Sequence, residues 1–348
     1  MKRSIGVFVT VISFLFLGST SEVSSLVKNT RIANSNTSFT PNDSSVSICS
    51  FNIQFLGMSP ERDNDALAFI LKDFDIVVIQ ELVAPPFAGT FPDGTAFNPD
   101  AEAEEFFDDI INEGFSFRLS EEDTGTGPTN HINSSATEWW VVFFKSAKVD
   151  IASDLPTEFL ATDRTDNTNY ERVPYAFSFR TNNGNLDFVL ISVHLKPDPG
   201  TANENRRKEE LNSIASWVHN HDATEKDFIV LGDMNIQDSD ELKDDTPSGF
   251  KSLNDECRIT NTNVNGPKPY DHVMYRTHFT NEIDKDFDLR VYNLIEAMRP
   301  FWNSSDPYPG GAINPIGLPE YDHDSFRAHY SDHHPVVFKL NIPNADDD

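Results

Sequence analysis

Asp332 and His333 are two adjacent titratable residues, and they stand directly ahead of an apolar run from Val336 to Leu340. A histidine in such a place can exchange protons near neutral pH, and a neighbouring carboxylate can bind a metal or tune the imidazole. Polar residues at strand ends are common, so this pair alone indicates little. It gains weight because further apolar runs in the chain carry residues of the same kind.

Each of the other candidates is a carboxylate, a histidine or an amide immediately beside a short apolar run. They are Asn52, Glu81, His194, Asp233, Asn235 and Asp271. Glu81 is the sharpest case, because a carboxylate that ends so apolar a run favours a bound cation or a catalytic role. His272 and His334, which neighbour two of the candidates, are interpreted as bystanders.

The residue types indicate one chemistry. Carboxylate and amide oxygens without thiolates suit hard cations such as Mg²⁺, Mn²⁺ or Ca²⁺ rather than zinc. Two histidines among several carboxylates allow one general base and one general acid, each oriented by an acidic partner. A hard metal beside such a pair suits the attack of water at phosphorus. The pattern therefore predicts metal-dependent hydrolysis of a phosphoester.

Apolar runs and amphipathic segments alternate along the chain. The near-continuous apolar character of the runs is typical of strands buried on both faces. The predicted strands are 46–53, 75–80, 139–144, 186–193, 228–231 and 336–340.

Three helices are predicted from capping residues and apolar stripes. The first would be capped by Ser59, with Pro60 at its first position, and would bury Leu67, Ile70, Leu71 and Phe74. The second covers 102–112, where Phe106, Phe107, Ile110 and Ile111 cluster, and the third covers 203–220. The stripe of the third consists of Leu211, Ile214, Ala215 and Val218. These apolar stripes are interpreted as core.

The N-terminus has the features of a secretory signal peptide over residues 1–21: a basic start, a short apolar stretch and a small polar exit. The alternative is an uncleaved anchor, but the apolar stretch is shorter than the about 20 residues that a bilayer requires. Residues 22–45 are rich in Ser, Asn and Thr and predict a flexible leader. One domain is expected over 46–343, with an acidic tail at 344–348. We therefore expect a secreted, extracellular or periplasmic protein without stable membrane association, and no protein partner is inferred.

The composition is strongly acidic, with 27 Lys and Arg against 56 Asp and Glu and a formal net charge of −29. Such a charge repels polyanions at long range, so a nucleic-acid partner would need divalent cations, salt screening or a local basic lining. The acidity can instead reflect a salty environment. The two cysteines, Cys49 and Cys257, can form a disulfide or remain free thiols, and their positions in the sequence do not decide between the two.

Five motifs together resemble the endonuclease/exonuclease/phosphatase family, in the family's order and over residues 46–340. They are Phe51-Asn52-Ile53-Gln54, Ile79-Gln80-Glu81, Ser192-Val193-His194-Leu195, Gly232-Asp233-Met234-Asn235 and Ser331-Asp332-His333-His334-Pro335. Within the family, Glu138-Trp139-Trp140, Arg172-Val173-Pro174, Tyr270-Asp271 and the last of the five motifs look most similar to pancreatic-type deoxyribonucleases.

The resemblance implies an α/β four-layer sandwich, in which two facing β-sheets are flanked by helices and the site lies at one edge. It implies that Glu81, Asn52 and Asp332 lie on the metal side, and that Asn52, Asn235 and Arg172 contact phosphate. His194 oriented by Glu138, and His333 oriented by Asp271, would be the acid and base, in an order that stays open. Asp233 and Asn235 would complete the catalytic set by holding metal, water or phosphate.

Two departures from pancreatic-type nucleases concern the DNA grip that the resemblance implies. Val83 stands where those enzymes carry a basic residue that reaches into the minor groove, and Ala136 stands where they carry an aromatic residue. The chemistry is therefore expected to be kept, while binding of double-stranded DNA is in doubt.

The expected function is a secreted, Mg²⁺-dependent phosphodiesterase, an endonuclease of low sequence specificity that acts by in-line attack of water, with DNA favoured over RNA. One alternative uses the same site on another phosphoester, either a sphingomyelin-type phospholipid or an inositol phosphate. The other is a binding module that has kept the fold and lost the reaction, for which a missing catalytic residue would be expected; none is missing here.

Overall fold

Two mixed β-sheets organise the part of the chain that the computed structural model describes, which is residues 44–125, 137–164, 167–301 and 321–346. The expected signal peptide (1–21), the expected leader up to residue 43, Ala136 and the last two residues of the acidic tail lie outside the described residues. The domain boundaries accordingly stay predictions.

The first sheet has the strand order β13-β14-β1-β2-β6-β5. Its strands are β1 (Ser45–Leu56), β2 (Ile76–Leu82), β5 (Ser116–Leu119), β6 (Trp139–Phe144), β13 (Arg290–Val291) and β14 (Val336–Asn341). β1 and β2 are parallel, and the other neighbours are antiparallel. A short hairpin of β3 (Gly89–Thr90) and β4 (Ala96–Phe97) stands apart from both sheets.

The second sheet has the order β11-β12-β10-β9-β8-β7. Its strands are β7 (Val149–Ile151), β8 (Tyr175–Thr181), β9 (Asp187–His194), β10 (Phe228–Asp233), β11 (Phe250–Ser252) and β12 (Asp271–Arg276). Again one central pair, β9 with β10, is parallel and the rest are antiparallel. Each sheet therefore has a parallel pair of strands near its middle, and both strands of such a pair end on the same edge.

Three apolar cores separate the layers, as the alternation of side chains along the strands dictates. In β1, Val46 and Ile48 join the core that also contains Phe177 and Leu190 of the second sheet. Cys49, Phe51 and Ile53, on the opposite face of β1, pack against helices instead. The third core lies on the outer face of the second sheet. The predicted four-layer α/β sandwich is confirmed.

The helices lie outside the sheets. They are α1 (Asn64–Leu71), α2 (Ala101–Asn112), α3 (Thr201–Asn220), α4 (Ser239–Asp245), α5 (Leu294–Met298) and α6 (His323–His329), with a 3₁₀ turn at Arg299–Phe301. α1 and α2 contribute to the core of the first sheet and α3 to that of the second. Cys49 and Cys257 are free thiols. In the described part of the chain, no helix is long and apolar enough to cross a membrane.

Two details of the predicted helices were wrong. α1 begins at Asn64 and is capped by Asp63, whose carboxylate accepts from the N–H of Ala66, so Ser59 and Pro60 precede the helix. Asp63 is as good a cap as serine, and the apolar stripe starts only after it. In α2, Ile111 is 39% exposed because it falls beyond the edge of the buried face.

Candidate active site

The predicted site residues stand at the ends of the two parallel strand pairs and their neighbours. In the first sheet, Asn52 and Gln80 are paired across β1 and β2, so Glu81 follows directly beside Asn52. In the second sheet, His194 and Asp233 are paired across β9 and β10, and Asp271 is paired with Asp233. The carboxyl ends of parallel neighbours lie at one edge of a sheet, which is why residues distant in sequence meet here.

Asn52 connects the two sheets at this edge. Its amide Nδ2 donates to Glu81 Oε1 at 2.8 Å and to Asp233 Oδ2 at 3.0 Å, and its Oδ1 accepts from the N–H of Gln54. Behind it, Gln80 Nε2 donates to Ser192 Oγ at 3.1 Å across the sandwich. In this arrangement, the Asn52 side chain orients two candidate metal carboxylates.

Both histidines converge on Asp233. His194 Nε2 lies 3.7 Å and His333 Nε2 lies 3.5 Å from Asp233 Oδ2, while Asp233 Oδ1 accepts from the N–H of Asn235 at 2.8 Å. All four residues are buried. A small group placed beside Asp233 would therefore meet two imidazoles at once.

Each histidine is oriented from behind by a carboxylate. His194 Nδ1 lies 2.7 Å from Glu138 Oε1, and Arg172 Nε lies 2.7 Å from the same oxygen. On the other side, His333 Nδ1 is hydrogen-bonded to Asp271 Oδ2 at 2.8 Å. Because Nδ1 faces the carboxylate in both pairs, Nε2 is the nitrogen presented to the site.

The strand ends that carry the site adopt unusual backbone conformations. Glu81 and Asn235 have left-handed φ angles of 64° and 53°, and β2 shifts its register against β6 between Ile79 and Leu82. Such conformations cost free energy and persist where the surroundings determine them. In these conformations the Glu81 carboxylate accepts from Asn52 Nδ2, and the Asn235 amide donates to the carbonyl of Leu195.

Electrostatics in the site follow from burial of several charges together. Burial raises the pKa of Glu81, with further increases from Glu138 and Asp332 and an opposing effect of His194. Burial also disfavours the charged form of Glu138, but His194 and Arg172 outweigh it and lower the Glu138 pKa. A bound cation would relieve the excess of negative charge around Glu81.

The two histidines are shifted in the same direction. Burial and Arg172 disfavour protonation of His194, yet Glu138 and Asp233 raise its pKa above the usual value. Burial likewise opposes protonation of His333, but Asp271 and Asp233 raise its pKa well above the usual value. By contrast, burial lowers the pKa of His272 and of His334 to about 4, which fits their interpretation as bystanders.

The donor set fits a hard divalent cation. Ligand atoms of Glu81, His194 and Asp233 all lie within 4.8 Å of one another, and a second such group consists of Asp233, Asp271 and His333. Carboxylates dominate both groups, as Mg²⁺ or Mn²⁺ would require. Of the residues expected on the metal side, Glu81 belongs to the first group, and Asn52 donates to it.

The remaining predicted residues lie around this centre. Asp332 Oδ1 is 4.0 Å from His333 Nε2. Asn235 Nδ2 donates to the carbonyl of Leu195, the residue after His194, at 3.2 Å. Arg172 is buried against Glu138, and its Nη1 makes no hydrogen bond among the described residues. The roles assigned to these residues from the sequence stay predictions.

Three residues of the site were not assigned roles from the sequence, although they lie within the quoted motifs. Gln54 Oε1 accepts from the N–H of Asp332 at 3.1 Å. Ser331 Oγ donates to the carbonyl of Asn52 at 2.7 Å and accepts from the N–H of His333. The Tyr270 ring lies against His333, with 5.7 Å between centroids. Their positions in the motifs were the available signal.

Comparison with known proteins agrees with the motifs. The sequence model of the Endonuclease/Exonuclease/phosphatase family matches residues 49–333. No curated protein matches the chain by sequence.

Several solved structures share the fold at low identity. An endonuclease/exonuclease/phosphatase family protein from Bacteroides thetaiotaomicron has a TM-score of 0.53 at 13% identity, over 86% of this chain and 98% of its own. The human Nocturnin catalytic domain with bound sulfate has a TM-score of 0.51 at 15% identity, over 86% and 95%. A humanized D. rerio TDP2 has a TM-score of 0.50 at 16% identity, over 86% and 99%.

Proposed function

The chain belongs to the endonuclease/exonuclease/phosphatase family, whose members are in general phosphoester hydrolases that use divalent metals, and from that premise we propose that it is a divalent-metal-dependent phosphodiesterase acting on nucleic acid. The family resemblance that the motifs indicated is confirmed by the match over residues 49–333. The proposed activity is endonucleolytic, with little sequence preference and Mg²⁺ as the metal.

One observation carries the proposal: two imidazoles, each with its own buried carboxylate, face a common aspartate. His194 Nε2 and His333 Nε2 lie 3.7 and 3.5 Å from Asp233 Oδ2, next to the buried carboxylate of Glu81. Binding alone does not require two histidines in one pocket, each hydrogen-bonded or ion-paired to a buried carboxylate. Hydrolysis of a phosphodiester needs a base for the water and an acid for the leaving oxygen, which this pair can provide.

The residues of the chain have separate tasks in this proposal. Glu81 and Asp233, whose carboxylates Asn52 orients, would hold a divalent cation, which would supply charge neutralisation at the phosphate. Asp233 orients the attacking water, and one histidine accepts its proton while the other protonates the leaving oxygen. Arg172, which is ion-paired with Glu138, would order a phosphate oxygen.

The rim on the metal side supports a substrate other than rigid duplex DNA. The N–H of Phe55 donates to the Glu81 carboxylate, and the Phe55 side chain is 37% exposed. Val83, two residues after Glu81, is an apolar residue where a basic one would suit the minor groove. Apolar and aromatic side chains instead suit unstacked bases, so we propose that flexible or single-stranded nucleic acid is the better substrate.

The same rim favours one second candidate. Exposed Phe55 and Met58, which are neighbours, would contact the apolar part of a phospholipid such as sphingomyelin, with hydrolysis at the same centre. Secretion through residues 1–21 is proposed for either substrate, and it brings the enzyme to extracellular nucleic acid or to outer lipid leaflets.

The test compares substrates on purified protein. Single-stranded DNA, supercoiled plasmid, RNA and sphingomyelin are incubated with Mg²⁺, and in parallel with a chelator. We expect chelator-sensitive cleavage of nucleic acid, fastest on single strands. Head-group release from sphingomyelin without cleavage of nucleic acid would support the second candidate. Absence of turnover on every substrate would overturn the proposal.

Variants connect the activity to the site. His194→Ala and His333→Ala should each lower kcat by roughly 10²–10⁴-fold, the contribution of a positioned acid or base. His219→Ala is the matched control, because the His219 side chain is 82% exposed near the end of α3 and should be dispensable. Full activity in either active-site variant would contradict the acid–base assignment.

A further inference from the structure

A completely buried arginine outside the proposed catalytic set lies next to the metal side of the site. The Arg62 side chain has no exposed surface, and its Nε lies 2.6 Å from Glu102 Oε1 at the start of α2. Arg62 belongs to the segment between β1 and α1. Burying two charges has a desolvation cost that their attraction must first offset, so such a pair is weak evidence for stability. What it contacts suggests another role.

Among the described residues, the other hydrogen bonds of the Arg62 guanidinium go to backbone carbonyls beside the site. Nη1 donates to Ile53 O at 2.5 Å and also to Tyr330 O, and Nη2 donates to Gln54 O. Ile53 and Gln54 follow Asn52, and Tyr330 precedes Ser331, Asp332 and His333 in sequence. One side chain therefore joins the end of β1 to the loop that carries Asp332 and His333.

Glu102 holds the continuation of the same segment. Its Oε2 accepts from the N–H of Gly57 at 2.6 Å and from the N–H of Ser59 at 2.8 Å. Together, Arg62 and Glu102 thus bind backbone groups on both sides of Phe55. These are charge-assisted hydrogen bonds in a water-excluded place, where they are at their strongest.

The segment needs such support because its backbone is strained. Gln54 and Phe55 have consecutive left-handed φ angles of 60° and 54°, a conformation that is unfavourable for non-glycine residues. In this conformation the N–H of Phe55 donates to Glu81 Oε2 at 3.0 Å. The same conformation lets the Gln54 side chain accept from the N–H of Asp332.

We propose that Arg62, held by Glu102, is a positioning residue for the metal side of the site. It keeps Gln54 and Phe55 left-handed, and Phe55 in turn fixes the orientation of the Glu81 carboxylate. Its bond to Tyr330 O keeps the Asp332 loop at a constant distance from that carboxylate. The inference rests on the proposed metal-dependent function, because it assigns Arg62 to the geometry of the metal ligands.

The experiment measures Mn²⁺ binding directly, by electron paramagnetic resonance of free Mn²⁺, in the absence of substrate. Arg62→Lys keeps a positive charge but loses the planar fork that reaches three carbonyls. Glu102→Gln keeps the volume and loses the charge. We expect both variants to bind Mn²⁺ on the order of 10–100-fold more weakly, as is typical when a partner behind a metal ligand is removed. Activity should recover in part when Mn²⁺ is raised.

Arg276→Lys is the matched control. Arg276 is also buried, pairs with Asp222 and donates to the carbonyl of Lys226 at 3.0 Å. It lies at the opposite end of β12 from the site residue Asp271. It should lose comparable stability without a change in Mn²⁺ affinity. An equal loss of Mn²⁺ affinity in Arg276→Lys would show a general effect of destabilisation and would overturn the inference.

The remaining outcomes are separable from failure of the proposed function. Unchanged Mn²⁺ affinity in folded Arg62→Lys, in a protein whose wild type binds Mn²⁺ and cleaves nucleic acid, overturns the inference alone. Failure of both Arg62→Lys and Glu102→Gln to fold would make the pair a determinant of stability and overturn it too. A wild type that binds Mn²⁺ without turnover refutes the proposed activity, whereas weaker Mn²⁺ binding by Arg62→Lys in that same protein would still support the inference.

Discussion

At the scale of single residues, two carboxylate–histidine pairs dominate the site. Asp271 contacts His333 Nδ1, and Glu138 contacts His194 Nδ1, each on the side away from Asp233. Both histidines have raised pKa values despite burial, because the carboxylates favour the charged ring. Each pair should therefore titrate as a unit that its own carboxylate controls.

Removing one carboxylate should lower the pKa of its own histidine. In Asp271→Asn, His333 loses the largest of the charges that raise its pKa, so its titration moves to lower pH. The 13Cε1 chemical shift of His333, followed by NMR against pH in metal-free protein, measures this directly. Glu138→Gln is the matched variant for His194. If the pKa of both histidines changed in either variant, or the pKa of neither, the two pairs would not titrate independently.

The pH–rate profile then assigns the two roles. If His333 is the acid, the alkaline limb of activity moves to lower pH in Asp271→Asn; if it is the base, the acidic limb moves instead. The same reasoning applies to His194 in Glu138→Gln. The order of base and acid, which the motifs leave open, follows from which limb moves.

At the scale of elements, the ends of strands do the positioning, and they do so through departures from regular geometry. Glu81, Asn235, Gln54 and Phe55 are all left-handed, and each lies in the last residues of a central parallel strand or just after it. Gly232 adds a close approach: a Cβ at this position would stand 2.1 Å from the carbonyl oxygen of Val193 on β9.

The second sheet has a buried pair that resembles Arg62 and Glu102. Arg207 of α3 lies with Nε 2.6 Å from Glu241 Oε1, and its Nη1 donates to the carbonyls of Lys196 and Asp198. Glu241 Oε2 accepts from the N–H of Gln237. In both sheets, a buried arginine–glutamate ion pair thus binds backbone groups of the loop that follows a central strand.

Substitution of Gly232 tests how tightly β9 and β10 must approach ahead of Asp233. Gly232→Ala should lower the free energy of unfolding by about 3 kcal/mol, because the new methyl group meets backbone and φ is 141°. Chemical denaturation measures the change. Gly184→Ala is the control: its φ is 71° with nothing within 4 Å, so only about 1 kcal/mol should be lost. If the free energy of unfolding fell equally in the two variants, the close approach of β9 and β10 at Gly232 would not be the cause of the destabilisation.

At the scale of the whole molecule, negative charge is in large excess. The formal net charge is −29, and the arginines at 62, 172, 207 and 276 are buried in ion pairs. The surface consequently has fewer cations than the composition suggests. Self-repulsion of this kind destabilises the compact state, and it weakens approach of a polyanionic substrate.

Salt should stabilise the protein. Raising NaCl from about 10 mM to about 150 mM shortens the screening length from about 30 Å to about 8 Å, so repulsion between surface carboxylates falls. We expect Tm to rise over this range in thermal unfolding followed by circular dichroism. Choline chloride should act equally, because ionic strength rather than a bound sodium ion is responsible. A constant or falling Tm would contradict this account.

The motifs and their order along the chain were enough to predict the family and the set of polar strand ends, and the resemblance to that family implied the sandwich. The reason is local: buried central strands such as 139–144 must be apolar throughout, so a polar residue that ends one is conspicuous. β8 was not predicted, because its apolar residues alternate with Ser178 and Arg180 and give a weaker run. The cap of α1 was misplaced, because Ser59 and Asp63 are both competent caps.

Only the tertiary structure decided which polar ends meet, and how. Asn52 contacts Asp233 across 181 residues of chain, and Arg62 contacts Tyr330 across 268. Such contacts depend on register, on left-handed turns and on the spacing of two packed sheets, none of which leaves a periodic signal in the sequence. The sequence by itself determined which chemistry was available; the packing of the sheets determined that Asp233 stands between the two histidines.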